Sequence, residues 1–220
     1  MNVSKIQVYF MPGMAANPTI FKHIVLPEEE FEVHYLEWFL PEKNETLAHY
    51  ASRMAEKVKH DNVILVGVSF GGILVQEMAR HINVKKIFVI SSVKTKHELP
   101  RRMKFARATK AYKLLPTGLV NNIEVLRKFA FGDLATKRID LYEEYLSVRD
   151  KNYIDWSIAQ IVNWNQEKPL PNTIHINGDK DLVFPIQHIS DCISIKGGTH
   201  IMVLNKFKWF NENLPRLIKE

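Results

Sequence analysis

The stretch Val63-Ile64-Leu65-Val66-Gly67-Val68-Ser69-Phe70-Gly71-Gly72 decides the fold. Its first six residues are a continuous apolar run, the pattern of a strand covered on both faces in a parallel sheet. After Gly71-Gly72, residues Leu74, Val75, Met78, Ala79 and Ile82 recur on one face of a helix. Residues 67–72 therefore lie where a buried strand turns abruptly into a helix. That context gives the Gly-x-Ser-x-Gly pattern a physical meaning, the elbow that presents a nucleophilic serine. Ser69 at the apex is forced into a strained conformation with its side chain exposed. Bulk at position 67 or 71 would collide with neighbouring backbone, and glycine removes that bulk. The hydroxyl then lies near unpaired N–H groups and the positive end of the helix dipole, and the Phe70 N–H points at a developing oxyanion. The plainer reading is a glycine-rich turn with a helix-capping serine. Neither Gly-x-Gly-x-x-Gly nor Gly-Lys-Ser/Thr occurs in the chain, so the nucleotide-binding fingerprints are missing.

Five more strand-like runs surround this one: Ile6 to Met11, Phe31 to Trp38, Ile87 to Ile90, Ile174 to Asn177 and Ile193 to Ile195. Between the second and third strands, Leu47, Tyr50, Ala51, Met54, Ala55 and Val58 form an apolar helical stripe. Asn44 is the expected cap, with Glu45 in the first turn. Alternating strands and helices predict an α/β fold, a doubly wound, mostly parallel sheet of about six strands joined by right-handed crossovers. Residues 94–168 break the rhythm with helical patterns alone. These are Leu119, Ile123, Leu126 and Phe129; then Ile139, Tyr142, Tyr145 and Leu146 behind a Thr136 cap; then Ile154, Ile158, Ile161 and Val162. That is too long for a simple crossover. The expected organisation is a core of residues 1–93 and 169–220 with an inserted helical cap over 94–168.

A serine hydroxyl needs a base, and the base needs an orienting acid. Behind this kind of elbow the chain order is Ser, then Asp or Glu, then His. Ile174-His175-Ile176-Asn177-Gly178-Asp179-Lys180-Asp181 is a strand running into an acidic loop. Ile193-Ser194-Ile195-Lys196-Gly197-Gly198-Thr199-His200 is a strand, a Gly-Gly turn and a histidine. Both partners follow strands, on the same carboxyl edge of the sheet as Ser69.

With these stretches, and with Pro12-Gly13-Met14 after the first strand and Leu182-Val183-Phe184-Pro185 after the acidic loop, the chain resembles a small member of the α/β-hydrolase superfamily. The resemblance implies Ser69 as nucleophile, Asp181 as acid and His200 as base, with oxyanion donors at the N–H groups of Met14 and Phe70. Asp181 is preferred to Asp179 because the family acid usually ends a Gly-x-x-Asp run shortly before a proline, here Gly178 to Asp181 with Pro185. Two departures stand out. Pro12-Gly13 replaces the usual His-Gly, and the family's N-terminal antiparallel hairpin is missing. The expected activity is hydrolysis of a small carboxylic ester or thioester through an acyl-enzyme, with no cofactor and no metal. The alternatives are C–C bond hydrolysis or acyl transfer by the same triad, or a non-catalytic binding protein on a degenerate hydrolase fold. Tyr112, Leu114, Leu115, Phe129, Phe131, Trp156 and Trp164 of the cap are candidates to line an apolar pocket, or else to pack the cap on the core.

Composition sets the outer bounds. With 46% apolar and 25% charged residues, the chain is neither disordered nor fibrous. No apolar run reaches the roughly 18 residues of a membrane span, and no secretory signal is visible. The single cysteine, Cys192, forbids an internal disulfide and reads as a small buried hydrophobe. A reducing compartment, most simply the cytoplasm, is expected. The net charge of +6 is concentrated between Lys94 and Lys113, where eight basic residues face one acid, Glu98. Such a run is either a solvated helix face or an attractor for an anionic substrate; no motif links it to nucleic acid. His175, in a strand beside the site, is expected to be a satisfied structural histidine. His188 with Asp191 and Cys192 is a weak metal spacing. Oligomeric state is not legible.

Overall fold

Alternate residues of the strands part to opposite faces, and each face collects its own core. In the computed structural model, which describes residues 4–115, 145, 148 and 150–220, Tyr9, Met11, Leu65, Ile87 and Val89 join one buried cluster. Val8, Phe10, Ile64, Val66, Phe88 and Ile90 join the other. The strands are β1 (Ile6–Met11), β2 (Phe31–Tyr35), β3 (Val63–Val68), β4 (Val84–Ile90), β5 (Thr173–Gly178) and β6 (Ile193–Ile195). Their order is β2-β1-β3-β4-β5-β6, and every neighbouring pair is parallel. Among the described residues the sheet has no antiparallel strand. All six residues of β3 are buried, as its unbroken apolar run requires.

Helices α1 (Leu47–Ala55), α2 (Phe70–Met78) and α4 (Lys151–Asn163) cover the first face; α5 (Met202–Asn205) and α6 (Phe207–Lys219) cover the second. A further helix, α3 (Arg101–Thr109), packs beside α4. Between β4 and β5 the described elements are all helical. The patterns at 119–129 and 136–146 lie outside the described residues, apart from Tyr145, which is buried in the second cluster. No described helix is long and apolar enough to cross a membrane.

The chain leaves β1 toward β2 on one side and returns to β3 on the other. The strand order thus reverses between β1 and β3, so the connections after these two strands leave the carboxyl edge of the sheet in opposite directions. Three local expectations are corrected. Thr46, not Asn44, caps α1: its side chain accepts from the His49 N–H at 3.2 Å, while Asn44 adopts a left-handed φ of 59° before the helix. Glu45 is buried beneath that turn and accepts the Glu42 N–H at 2.7 Å. β2 stops at Tyr35, because Trp38 turns inward with its ring stacked on Phe70. β4 starts earlier, at Val84; Lys86 within it reaches the Leu217 and Ile218 carbonyls in the last turn of α6, where a cation is favourable.

At the ends of β5 and β6 two backbones touch. A Cβ on Gly178 would stand 2.2 Å from the Gly198 carbonyl oxygen, closer than real atoms approach. Gly178→Ala is therefore expected to cost about 3 kcal/mol or more. That corresponds to a fall in thermal midpoint of roughly 6–12 °C for a chain of this size. A midpoint within a degree of the wild type, by calorimetry, would contradict the packing described.

Candidate active site

Ser69 opens α2 at φ 54° and ψ −121°, a region that L side chains rarely adopt. Such strain costs on the order of 1–3 kcal/mol and needs a surrounding structure that enforces it. A Cβ on Gly67 would lie 2.3 Å from the Gly71 carbonyl oxygen, and one on Gly71 would lie 2.3 Å from that of Pro12. Hydrogen bonds hold the apex from both sides: Ser69 N–H donates to the Ile90 carbonyl at 2.9 Å, and the Ser92 hydroxyl donates to the Ser69 carbonyl at 2.6 Å. The Ser69 side chain makes no capping bond to the helix. Its Oγ lies 3.0 Å from His200 Nε2 instead, so the capping-serine reading does not describe this turn.

Behind the elbow runs a buried polar network that the motif alone does not reveal. Gln76 Nε2 donates to the Gly72 and Val93 carbonyls, and Gln166 Nε2 donates to Gln76 Oε1 and the Lys94 carbonyl. Gln76 could have been noticed as an amide within an apolar helix, four residues after Gly72. Gln166 and Ser92 carry no such signal.

His200 lies near both Ser69 and Asp181. Its Nδ1 is 3.0 Å from Asp181 Oδ2. An ionised carboxylate only accepts, so Nδ1 carries the proton and Nε2 is left to accept from the Ser69 hydroxyl. The other Asp181 oxygen accepts the N–H groups of Val183 at 2.8 Å and Phe184 at 3.0 Å. Burial alone would raise the Asp181 carboxyl. The adjacent His200 and these two N–H donors outweigh it and hold the group below its ordinary value. Asp179 points elsewhere: it is exposed and accepts the Gly197 N–H at 2.7 Å, pinning the turn that leads to His200. Arg102 of α3 donates to the Leu182 and Val183 carbonyls at 2.7 and 2.9 Å and so braces the acid loop.

The loop after β1 completes the surroundings. A Cβ on Gly13 would sit 3.4 Å from Ser69 Cβ, so the Gly13–Met14 peptide runs beside the serine. Trp38, Tyr50, Phe70, Tyr153 and Trp156 form an aromatic wall, with Trp38 and Phe70 parallel at 4.9 Å between centroids. Of the candidate pocket residues, Trp156 and Trp164 use their ring N–H groups to bond the Glu45 carbonyl and Glu77 Oε1, which ties them to the core. Leu114 and Leu115 are exposed, Tyr112 packs against the core, and Phe129 and Phe131 lie outside the described residues.

Much of the basic run is structural. Lys94 is buried and donates to the Ser190 and Asp191 carbonyls; Lys96 pairs with Glu167; Lys104 bonds the His97 carbonyl; Arg107 bonds Asn165. Cys192 is half-buried, more open than expected. Of the candidate metal cluster among the described residues, Glu42, Glu45 and His49, both carboxylates pair with the Arg53 guanidinium, and His49 bonds Glu45.

His175 is buried in β5, yet neither ring nitrogen has a well-formed hydrogen bond; Nδ1 is 4.0 Å from Glu98 Oε2. Burial first, and then the Lys94 charge, push its pKa down to about 3, against a partial pull from the Ser92 backbone and Asp181. Between its ordinary value near 6.5 and this one, the unfolded chain binds a proton that the folded chain does not. His175 therefore makes stability fall as pH falls across that window, by up to about 1.4 kcal/mol per unit. Asp181 acts lower. Its contribution is present above the ordinary carboxylate value and lost as pH falls through its depressed folded value. His175→Gln is expected to flatten the decline in denaturation midpoint between about pH 6.5 and 4; a profile parallel to the wild type would contradict this. Asp181→Asn is expected to lower the midpoint by a constant amount above about pH 4 and to alter the slope of the profile only below it.

No family model and no curated protein matches the chain. Solved structures do. It is similar to an enol-lactonase from Burkholderia xenovorans, with 15% identity, coverage of 99% of this chain and 93% of that one, and a TM-score of 0.71. A thermophilic esterase from Thermogutta terrifontis gives 14% identity, 98% and 90% coverage and a TM-score of 0.69. An esterase from Exiguobacterium antarcticum gives 18% identity, 99% and 93% coverage and a TM-score of 0.67. At these identities the likeness concerns architecture, and with the six-stranded parallel sheet flanked by helices it establishes that the chain has the α/β-hydrolase fold.

Proposed function

We propose that the protein is a serine hydrolase that cleaves a small carboxylic ester or thioester through an acyl-enzyme. The observation that carries this reading is the hydrogen-bonded line from Ser69 Oγ through the His200 ring to Asp181, with 3.0 Å at each step. Ser69 Oγ attacks the substrate carbonyl carbon while its proton passes to His200 Nε2. Asp181 keeps the ring in the required tautomer and stabilises its charged form. The N–H groups of Met14 and Phe70 receive the oxyanion, each contributing about 3 kcal/mol to lowering the barrier. As the tetrahedral adduct collapses, His200 returns the proton to the leaving oxygen or sulfur. A water deprotonated by His200 then attacks the acyl-enzyme, and the acid product departs with Ser69 regenerated.

Names borne by similar structures, two esterases and an enol-lactonase, favour ester chemistry over C–C cleavage on the same triad. A lone cysteine fits a cytoplasmic protein.

Ser69→Ala is expected to lower turnover of short aryl esters by about 10⁴-fold or more and to abolish labelling by a fluorophosphonate probe. Unchanged turnover would overturn Ser69 as the nucleophile. A wild type that neither turns over a panel of esters and thioesters nor takes the label would favour a non-catalytic binding protein.

A further inference from the structure

The peptide beside Ser69 is gripped from behind by an indole. Trp38 Nε1 donates to the Gly13 carbonyl at 2.7 Å, in a buried setting. That carbonyl and the Met14 N–H belong to one planar trans peptide, in which C=O and N–H point in opposite directions. Fixing the oxygen therefore fixes the direction of the Met14 N–H. The same oxygen also accepts the Ala16 N–H at 3.0 Å. A carbonyl that accepts two bonds is more polarised, and its peptide N–H is a stronger donor.

The other side of Met14 is held as well. Ala15 adopts φ 62°, a strained position for a residue with a Cβ. Its N–H donates to the Tyr153 hydroxyl at 3.2 Å. Tyr153 is fully buried in α4 and lies edge-on to the Trp38 ring at 5.7 Å. Trp38 in turn lies flat against the side chain of Phe70, 4.9 Å between centroids. One indole thus bonds the peptide that carries the first oxyanion donor and stacks on the residue that carries the second.

We infer that Trp38, backed by Tyr153, is a positioning residue that aims the Met14 N–H at the oxyanion, through the Trp38 N–H bond to the Gly13 carbonyl. This rests on the reading of Ser69 as nucleophile. Neither side chain touches the reacting atoms. Their effect belongs to the transition state, in which negative charge develops on the carbonyl oxygen, and not to ground-state binding.

Trp38→Phe keeps an aromatic ring against Phe70 and removes the donor. On a short aryl ester its kcat is expected to fall about 10- to 100-fold with KM within about twofold. Affinity for an aryl trifluoromethyl ketone, which adds to the serine as a tetrahedral oxyanion, should fall by a similar factor. An unchanged kcat overturns the inference. So does a loss of kcat that only tracks the folded fraction, measured by circular dichroism in the same samples, with ketone affinity per folded molecule unaltered. If Trp38→Phe does not fold, Tyr153→Phe carries the test with the same expected split and the same overturning results. Loss of turnover in Ser69→Ala is a separate control. If that variant stays active the functional reading fails, whereas an active wild type with an indifferent Trp38→Phe removes only the role of the indole.

Discussion

The carboxyl edge of this sheet is assembled by backbone approaching backbone where no side chain fits. Gly67 faces Gly71, Gly71 faces the Pro12 carbonyl, and Gly178 faces Gly198. The first contact closes the β3–α2 turn on itself, the second sets the β1 loop against that turn, and the last brings the loops after β5 and β6 together. A Cβ at any of these crossings would open the turn or push two loops apart, and the distances between Ser69, His200 and Asp181 depend on their not moving. Hydrogen-bonded side chains can adjust by tenths of an ångström, but backbone overlap cannot. Packing of the loops therefore comes before the electrostatics of the site.

Those electrostatics need the same closeness. Asp181 is a carboxylate withdrawn from water, which is costly unless both of its oxygens are hydrogen-bonded. Val183, Phe184 and His200 answer it, and the charge stays ionised despite burial. His175, six residues earlier in β5 and just as deeply buried, shows the opposite solution. With no well-formed partner and Lys94 nearby, it is held neutral. Two titratable groups on one short segment are thus driven to different states by what their neighbours donate.

The strands, the elbow and the order of Ser69, Asp181 and His200 were readable because each depends on local pattern: unbroken apolar runs, glycine at fixed offsets, polar residues just past strand ends. Boundaries set by tertiary contacts were less readable. Trp38 looked like the end of an alternating strand, but its indole is committed to Gly13 and Phe70, so β2 stops at Tyr35. Asn44 has the composition of a cap, yet the apolar stripe begins at Leu47, which makes Thr46 the residue whose oxygen reaches the exposed N–H groups. The basic run read as a surface feature. Lys94 and Arg102, however, spend their charge on backbone carbonyls of distant loops, contacts that no spacing rule in one chain can disclose.

Those contacts bear on how the helical segment relates to the core. Residues at its two ends do not merely lean on the sheet. Lys94 and Glu98 clasp the chain at Ser190, Arg102 braces the acid loop, Tyr153 accepts from the strand-1 loop, and Gln166 completes the network behind the elbow. The Arg102 bond ends on Val183, two residues from Asp181. A rigid-body movement of α3 or α4 away from the sheet would have to release these bonds, several of them buried, at about 1 kcal/mol or more apiece. Helices tied in this way behave as part of the frame that holds the serine, histidine and aspartate in register. Lys94, Glu98, Arg102, Tyr153 and Gln166 thus tie the helices between β4 and β5 to the loops around the sheet.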